Sequence, residues 1–190
     1  MKTKILAIVG KAGSGKDTIL KAIASDKKYN QIVRCTTRPK RENEIDGIDY
    51  YFVEHDDFID MVEEHQILDI TIFRDWCYGT PIKSLVKDKI NVGVYNPESL
   101  EMLLEIPQLD VFPVYINATD KERLMRQLTR EQNPDCAEII RRFGTDKEDF
   151  TFILNTDIKY IDNPDGKDVT DVIKDIEDTI SSWTSNINNE

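Results

Sequence analysis

The chain is poor in the residues that build disulfide frameworks and metal clusters. Its 190 residues include three cysteines and two histidines. Cys35, Cys77 and Cys136 form no C-x-x-C pair and have no histidine cluster nearby in the sequence. An odd number of widely spaced cysteines predicts neither a disulfide scaffold nor a zinc site. We therefore expect the cysteines to be small buried residues.

Long apolar runs and an excess of positive charge are also missing. No hydrophobic stretch approaches the roughly 20 residues of a membrane span, and the first residues lack the features of a signal peptide. The 25 basic residues are outnumbered by 36 acidic ones, for a net charge of −11. A nucleic-acid partner would require a basic surface. We expect a cytoplasmic protein, monomeric or homodimeric, with neither a membrane nor a nucleic-acid polymer as partner.

The clearest motif that is present lies at residues 10–18, which read G-K-A-G-S-G-K-D-T. An apolar, β-branched run precedes it, and apolar residues at helical spacing follow it. Strand, glycine-rich turn and helix in this order predict a phosphate-binding loop, with backbone N–H groups and a helix N-terminus facing phosphate oxygens. Its predicted ATP-binding residues are Gly10, Ala12, Gly13, Ser14, Gly15, Lys16, Asp17 and Thr18, with Lys16 reaching the β- and γ-phosphates.

One position of this loop departs from the usual pattern. Where G-x-x-x-x-G-K-[ST] has a hydroxyl that ligates Mg²⁺, the chain has Asp17, and the hydroxyl follows at Thr18. Asp17 could ligate or water-bridge the ion, or Thr18 could take that role, and both possibilities stay open. We predict Mg²⁺ as the cofactor and ATP as the phosphoryl donor.

A basic cluster at residues 34–41, R-C-T-T-R-P-K-R, stands out in this acidic protein. Its four cations are interleaved with the hydroxyls of Thr36 and Thr37, a combination suited to a second phosphate. A solvated surface loop is the plainer alternative.

Three ordered segments resemble the monophosphate-binding part of guanylate kinases. Residues 34–41, residues 46–53 (D-G-I-D-Y-Y-F-V) and residues 78–80 (Y-G-T) are similar to the family patterns T-T-R-x-P-R, E-x-[DN]-G-x-D-Y-x-F and Y-Y-G-[ST]. The resemblance implies that arginines and tyrosines hold the acceptor phosphate, while Asp69 and Thr80 contact the base. The predicted acceptor-binding residues are Arg34, Thr36, Arg38, Arg41, Tyr50, Asp69, Tyr78, Thr80 and Asn96.

The base-reading positions depart from the family pattern. Asp69 stands where the family has glutamate, and Arg34 stands where it has a small residue. The strand before Asn96 lacks the acidic residues of the family's L-D-I-D pattern. Either Asp17 supplies the missing carboxylate to Mg²⁺, or water and Thr18 suffice.

A further basic cluster lies at residues 121–142, where Q-N-P-D at residues 132–135 separates two helical arms. It resembles the mobile lid of nucleoside monophosphate kinases. The resemblance implies that Arg130 and Arg141 or Arg142 close over the transferring phosphate, with Arg126 next to them, and that the loop around Asn163 contributes to the adenine site. Lys16, Arg38, Arg130, Arg141 and Arg142 are the predicted catalytic residues. Arg123 is expected on a solvated helix face with acidic i,i+4 partners.

Strands alternate with helices along the chain, which predicts an α/β fold with a mainly parallel sheet flanked by helices. The resemblance adds a P-loop kinase fold in one domain, with a core (1–32, 81–118, 145–190), a mixed α/β monophosphate-binding insertion (33–80) and a helical lid (119–144). Within the insertion, an Asp-Gly turn at residues 46–47 predicts a β-hairpin, and residues 76–81 have the composition of a turn.

Together these features predict ATP-dependent phosphorylation of a nucleoside monophosphate, with GMP or dGMP expected first. A deoxynucleoside monophosphate kinase with a different or broader base range is one alternative. A catalytically silent, guanylate-kinase-like module that binds phosphorylated peptides is another, although such modules usually lose the loop or its lysine and this chain retains Lys16. A kinase for a small molecule other than a nucleotide would leave the match over residues 36–80 unexplained.

Overall fold

The computed structural model describes residues 2–42, 44–130, 132–151, 153 and 156–184. Predictions that concern residues 185–190 lie outside this part of the chain. The helices and strands in chain order are β1 (Thr3–Val9), α1 (Lys16–Ile23), β2 (Tyr29–Gln31), β3 (Cys35–Thr36), β4 (Tyr51–Phe52), α2 (His55–Glu63), β5 (Ile67–Phe73), β6 (Trp76–Pro81), β7 (Ile90–Val94), α3 (Pro97–Leu104), β8 (Leu109–Asn117), α4 (Asp120–Thr129), α5 (Cys136–Asp149), β9 (Lys159–Asp162) and α6 (Val169–Thr184).

The core is a five-stranded parallel sheet in the order β2-β7-β1-β8-β9. The central strand β1 pairs with β7 on one side and β8 on the other, so that Ile8 lies opposite both Val94 and Val114. Burial on both faces explains its uninterrupted apolar sequence. Leu6 and Ile8 pack towards α1 and α6, and the alternate residues of the strand pack towards α3.

All strands of this sheet run in the same direction, so their carboxyl ends meet at one edge. The loops that follow β1, β7, β8 and β9 therefore come together there, as ligand-binding loops do in open α/β sheets. The predicted α/β class with a parallel sheet and flanking helices is confirmed. Within the described residues, no helix is both long and apolar enough to cross a membrane.

A second, four-stranded sheet in the order β4-β3-β6-β5 lies within residues 35–81. The hairpin predicted at residues 46–53 is wrong, because β4 pairs in parallel with β3. The hairpin of this sheet is instead formed by β5 and β6, around Arg74 in the left-handed conformation (φ 57°). Residues 76–81 form strand β6 rather than a turn.

Two of the three cysteines behave as expected. Cys35 and Cys77 pack with Phe58 of α2 in a small apolar cluster under the second sheet. Cys136 is exposed at the first position of α5, so the expectation of burial is wrong for that residue.

Candidate functional site

Two cavities with volumes of about 1120 and 750 Å³ share part of their walls near the carboxyl edge of the core sheet. The larger, the donor cavity, is lined by the glycine-rich loop and by Arg126 and Arg141. The smaller, the acceptor cavity, is lined by Arg38, Arg41 and Tyr78. The residues that line both are Asp17, Lys21, Arg34, Tyr50, Val94, Arg130 and Arg142. The two predicted phosphate sites are therefore neighbours.

The loop between β1 and α1 has the backbone form that its glycines allow. Gly13 and Gly15 have φ values of 81° and 95°, and Gly15 is the N-cap of α1. A Cβ atom on Gly13 would lie 2.5 Å from the backbone oxygen of Arg123. These positions require glycine because the left-handed region and the close backbone approach both exclude a side chain. The N-terminus of α1 thus faces the donor cavity, a favourable place for an anion.

Lys16 curls back over this loop. Its Nζ donates to the backbone oxygen of Lys11 at 3.0 Å. Burial lowers the pKa of Lys16, and the carboxylates of Asp17 and Asp146 partly offset that effect. The ammonium group therefore already lies among the groups that line the donor cavity.

Arg126 and Asn163 support the loop from the other side. The Asn163 amide donates to the Ser14 carbonyl at 2.8 Å. Arg126 donates to the Asn163 carbonyl at 2.9 Å and pairs with Asp165 at 2.8 Å. Arg126 and Asn163, both predicted at the ATP site, therefore lie beside the glycine-rich loop.

Arg123 is not on a solvated face, and the expectation from the sequence is wrong. Only 2% of the Arg123 surface is exposed to solvent, and its Nε donates to the Ala12 carbonyl at 2.9 Å. It also forms an ion pair with Asp146 of α5 and another with Asp120. The Asp146 carboxylate in turn accepts from the Ala12 N–H at 3.0 Å. We call these groups of Arg123, Asp146 and Ala12 the lid clasp, because they tie α4 and α5 to the loop.

Sequence patterns could not reveal the clasp. Arg123 has one acidic neighbour at helical spacing, Asp120, and such a pair is usually exposed on the helix surface. Its main partner, Asp146, is 23 residues away. Burial raises the pKa of the Asp146 carboxyl, while the Ala12 N–H and the Arg123 guanidinium act in the opposite direction.

In the acceptor cavity, Arg38 is oriented by a carboxylate that the sequence analysis did not single out. Its two terminal nitrogens donate to the two oxygens of Glu44 at 2.9 and 2.7 Å. The pair lowers the pKa of Glu44 to about 2. The guanidinium also lies over the rings of Tyr50 and Phe52, 5.5 Å from each centroid. Such a bidentate pair fixes the plane of the arginine fork.

Thr36 does not reach either cavity. The residue is fully buried. Its hydroxyl donates to the Cys77 carbonyl at 2.9 Å and accepts from the Arg38 N–H at 3.2 Å. The structure thus places Thr36 beneath Arg38, where it holds the backbone of that residue. Tyr50 and Tyr78 do line the acceptor cavity, with ring centroids 6.1 Å apart in an edge-on arrangement.

The predicted base-contacting residues are covered by Arg34. Asp69 and Thr80 are 1% and 0% exposed and line neither cavity. The Arg34 guanidinium pairs with the Asp69 carboxylate at 2.5 Å. Arg34 lines both cavities, whereas Asp69 lines neither. Asn96 lines the donor cavity, but its side-chain oxygen caps α3 by accepting from the Ser99 N–H at 2.9 Å. Direct contact between Asp69 and a base would require Arg34 to move.

The arginines of the segment that was predicted as a lid lie in the walls of the two cavities. Arg130 and Arg142 line both, and Arg141 lines the donor cavity. Glu138 accepts from Arg141 at 2.8 Å and from Arg142 at 2.9 Å, which lowers the pKa of Glu138 to about 2. Arg130 and Arg142 therefore lie on the wall that the two cavities share, and Arg141 lies on the wall of the donor cavity.

The donor set at the start of α1 fits a magnesium ion bound together with phosphates. Asp17 lines both cavities and Thr18 lines the donor cavity. Elsewhere among the described residues, no three His, Cys, Asp or Glu side chains are gathered to hold a metal. Mg²⁺ in phosphoryl-transfer sites typically takes one or two protein oxygens and completes its shell with water and phosphate oxygens. The chemistry of Asp17 and Thr18 meets that requirement.

Comparison with known proteins points to one family. The family model for guanylate kinase matches residues 2–182. A guanylate kinase of Novosphingobium aromaticivorans is 35% identical over 136 residues, which are 68% of this chain and 60% of that protein. A guanylate kinase of Clostridioides difficile is 29% identical over 187 residues, which are 95% of this chain and 88% of that protein.

The matched parts differ in extent. The chain covers less than two thirds of the Novosphingobium protein. It also covers less than two thirds, 66%, of a guanylate kinase of Zymomonas mobilis to which it is 34% identical. Among solved structures, guanylate kinase from Anaplasma phagocytophilum superposes with a TM-score of 0.66 over 96% of this chain and 87% of that one. At 15% identity, this likeness concerns the fold.

Proposed function

The chain belongs to the guanylate kinase family, and we propose that it transfers the γ-phosphoryl group of MgATP to a nucleoside monophosphate, with GMP or dGMP preferred. The products are ADP and the nucleoside diphosphate. The observation that carries this proposal is the shared wall of the two cavities. The glycine-rich loop and Lys16 line one cavity, and Arg38 and Arg41 line the other.

Phosphoryl transfer requires little covalent chemistry from a protein, because positioning and charge neutralisation supply most of the rate enhancement. The loop N–H groups and Lys16 would bind the donor phosphates. Arg38, held by Glu44, and Arg41 would bind the acceptor phosphate. An acceptor phosphate is already anionic, so the reaction needs no general base.

The lid supplies the remaining charge. Arg130 and Arg142 line both cavities, so they can contact the phosphoryl group on either side of the transfer. Asp17 and Thr18 are the residues that would hold Mg²⁺, which neutralises charge on the donor phosphates when it is bound. With α4 and α5 held beside the loop by the lid clasp, the arginines in the cavity walls would help to exclude water and suppress hydrolysis of ATP.

A silent phosphopeptide-binding module is the rival from another class. It would need cations for a bound phosphate in the acceptor cavity, but it would have no use for a donor site. This chain retains Lys16, the left-handed glycines Gly13 and Gly15, and the lid arginines around the donor cavity. The complete donor site favours the enzyme.

The test is a coupled assay of ADP release with MgATP and each common ribo- and deoxyribonucleoside monophosphate. We expect turnover with GMP and dGMP, and a loss of at least about 100-fold in kcat for Lys16→Met, since one charged contact to the developing negative charge is removed. Lys159→Met is the matched control, because Lys159 is exposed and pairs only with the exposed Asp157 among the described side chains. Binding of monophosphates without turnover would favour the silent module. Turnover with other bases would indicate the broader deoxynucleotide kinase.

A further inference from the structure

Arg34 lines both cavities and forms an ion pair with the buried Asp69 of β5. The Asp69 side chain is 0% exposed and the Arg34 side chain 13% exposed. The Nη2 of Arg34 donates to Asp69 at 2.5 Å and to the Ser99 hydroxyl at 3.0 Å. Asp69 is therefore bound from the cavity side by a cation that comes from the chain itself.

This pairing reverses the hydrogen-bonding character of the surface that a base would meet. A free carboxylate only accepts hydrogen bonds, whereas a guanidinium only donates them. With Nη2 occupied, Nη1 of Arg34 has no protein partner in the described part of the chain, and Arg34 lines both cavities. At this point of the cavity walls, Arg34 therefore presents hydrogen-bond donors to a ligand.

The surroundings of Arg34 suit a planar neutral ring better than a second phosphate. The guanidinium lies 5.4 Å from the centroid of the Tyr95 ring, and the apolar side chain of Val94 lines both cavities together with Arg34. Its charge is compensated by the fully buried Asp69 carboxylate, while the cations for the acceptor phosphate lie at Arg38 and Arg41. A compensated guanidinium beside apolar walls favours a carbonyl or ring-nitrogen acceptor.

We propose that Arg34, anchored by Asp69, is the specificity-determining residue for the acceptor base, and that it selects 6-oxopurines by donating to their carbonyl and ring-nitrogen acceptors. The two N–H groups of Nη1 are the donors available for O6 and N7 of guanine, because Nη2 donates to Asp69 and Ser99 and Nε is buried. The 2-amino group of guanine then contributes little, since the Asp69 carboxylate that could accept from it is fully buried and lines neither cavity. This inference rests on the proposed function, and it adds that hypoxanthine is accepted nearly as well as guanine, while adenine is rejected.

Four purine monophosphates test this assignment on the unmodified protein: GMP, IMP, AMP and 2-aminopurine ribonucleoside monophosphate. IMP retains the 6-oxo group without the 2-amino group, and the 2-aminopurine nucleotide has the reverse. We expect kcat/KM for IMP within about threefold of GMP, and values for the other two lower by on the order of 10- to 100-fold, the discrimination typical of one bidentate contact to a base.

Different results would overturn the inference without touching the proposed function. If kcat/KM for IMP falls tenfold or more below GMP, a carboxylate reads the 2-amino group and Arg34 does not read the base. Equal values for all four nucleotides would show that the base is not read here. If no nucleoside monophosphate of any base is phosphorylated, the proposed function itself fails.

Variants give a second readout. Arg34→Met should bring the GMP to AMP ratio of kcat/KM close to one, mainly through KM. Because it leaves a buried unpaired carboxylate, its thermal unfolding is compared with that of Arg34→Met/Asp69→Asn, in which the pair is replaced by neutral groups. Arg34→Ser/Asp69→Glu should act in the opposite direction and raise the GMP to IMP ratio tenfold or more. A uniform loss with every base in Arg34→Met would instead indicate a phosphate contact and overturn the assignment, and Lys159→Met serves again as the remote control.

Discussion

Replacement of Arg123 by leucine tests whether the lid clasp holds the fold together. The side chain is 3% exposed and serves three acceptors: the Ala12 carbonyl at 2.9 Å, the Asp120 carboxylate at 2.7 Å and the Asp146 carboxylate. The Asp120 side chain is 79% exposed, so that pair contributes little. The Asp146 side chain is 13% exposed, so its carboxylate would be left largely buried without its cation.

Loss of one partner from a buried ion pair typically costs about 3–5 kcal/mol in the free energy of unfolding, because the remaining charge is uncompensated. We expect a destabilisation of that size for Arg123→Leu. Arg123→Leu combined with Asp146→Asn should be less destabilised than Arg123→Leu alone by about 2 kcal/mol or more, because no buried charge remains and the amide oxygen still accepts from Ala12.

Urea denaturation of wild type, both single variants and the double variant gives the coupling energy directly. Arg126→Leu is the matched control on the same helix. Its side chain is 27% exposed and its partner Asp165 is 60% exposed, so we expect a change below about 1 kcal/mol. A cost below about 1 kcal/mol for Arg123→Leu, or a cost that Asp146→Asn does not reduce, would refute the clasp.

Three further predictions concern single positions. Gly13→Ala should lower the free energy of unfolding by about 1–3 kcal/mol and raise KM for ATP, because φ is 81° and the new Cβ would lie 2.5 Å from a backbone oxygen. Urea denaturation measures this beside the control Gly144→Ala, where the added methyl group would meet nothing within 4 Å. Equal destabilisation of the two variants would contradict the prediction. The pKa of Glu44 is lowered to about 2 in the folded protein from an ordinary 4.5, so its ion pair contributes stability above pH 4.5 that is lost as the pH falls towards 2. The difference in unfolding free energy between wild type and Glu44→Gln should therefore shrink between about pH 6 and pH 3. A difference that stays constant over this range would show that the carboxylate is not paired. Glu138→Gln should lower KM for ATP, because no carboxylate then competes with phosphate for the two lid arginines; steady-state kinetics measures this, and an increased KM would mean that Glu138 instead orients them.

Local features of the chain could be predicted because they depend on residues close together in the sequence. The glycine-rich loop follows directly from the order of strand, turn and helix around residues 10–18. The two helices α4 and α5 follow from helical spacing on either side of residues 132–135. The α/β class with a parallel sheet follows from alternating strands and helices, and the structure confirms it. The family assignment from three short motifs is confirmed by the family model.

The predictions that failed concerned pairings between residues that are far apart in the sequence. The sheet of the insertion has β4 parallel to β3, because register and direction depend on which edges are available after the chain has folded back. An Asp-Gly turn predicts a hairpin locally, but Tyr51 pairs with Cys35 instead.

Phosphate binding could be inferred from the amino-acid sequence alone, since a loop, a helix N-terminus and clustered arginines are local features whose chemistry does not depend on the rest of the fold. The pairing of the charges became known only from the folded chain. Folding buried Arg123 against Asp146, oriented Arg38 with Glu44 and covered Asp69 with Arg34. The free energy of a charge depends on its burial and on the opposite charge beside it, and both are set by contacts between residues that are far apart in the sequence.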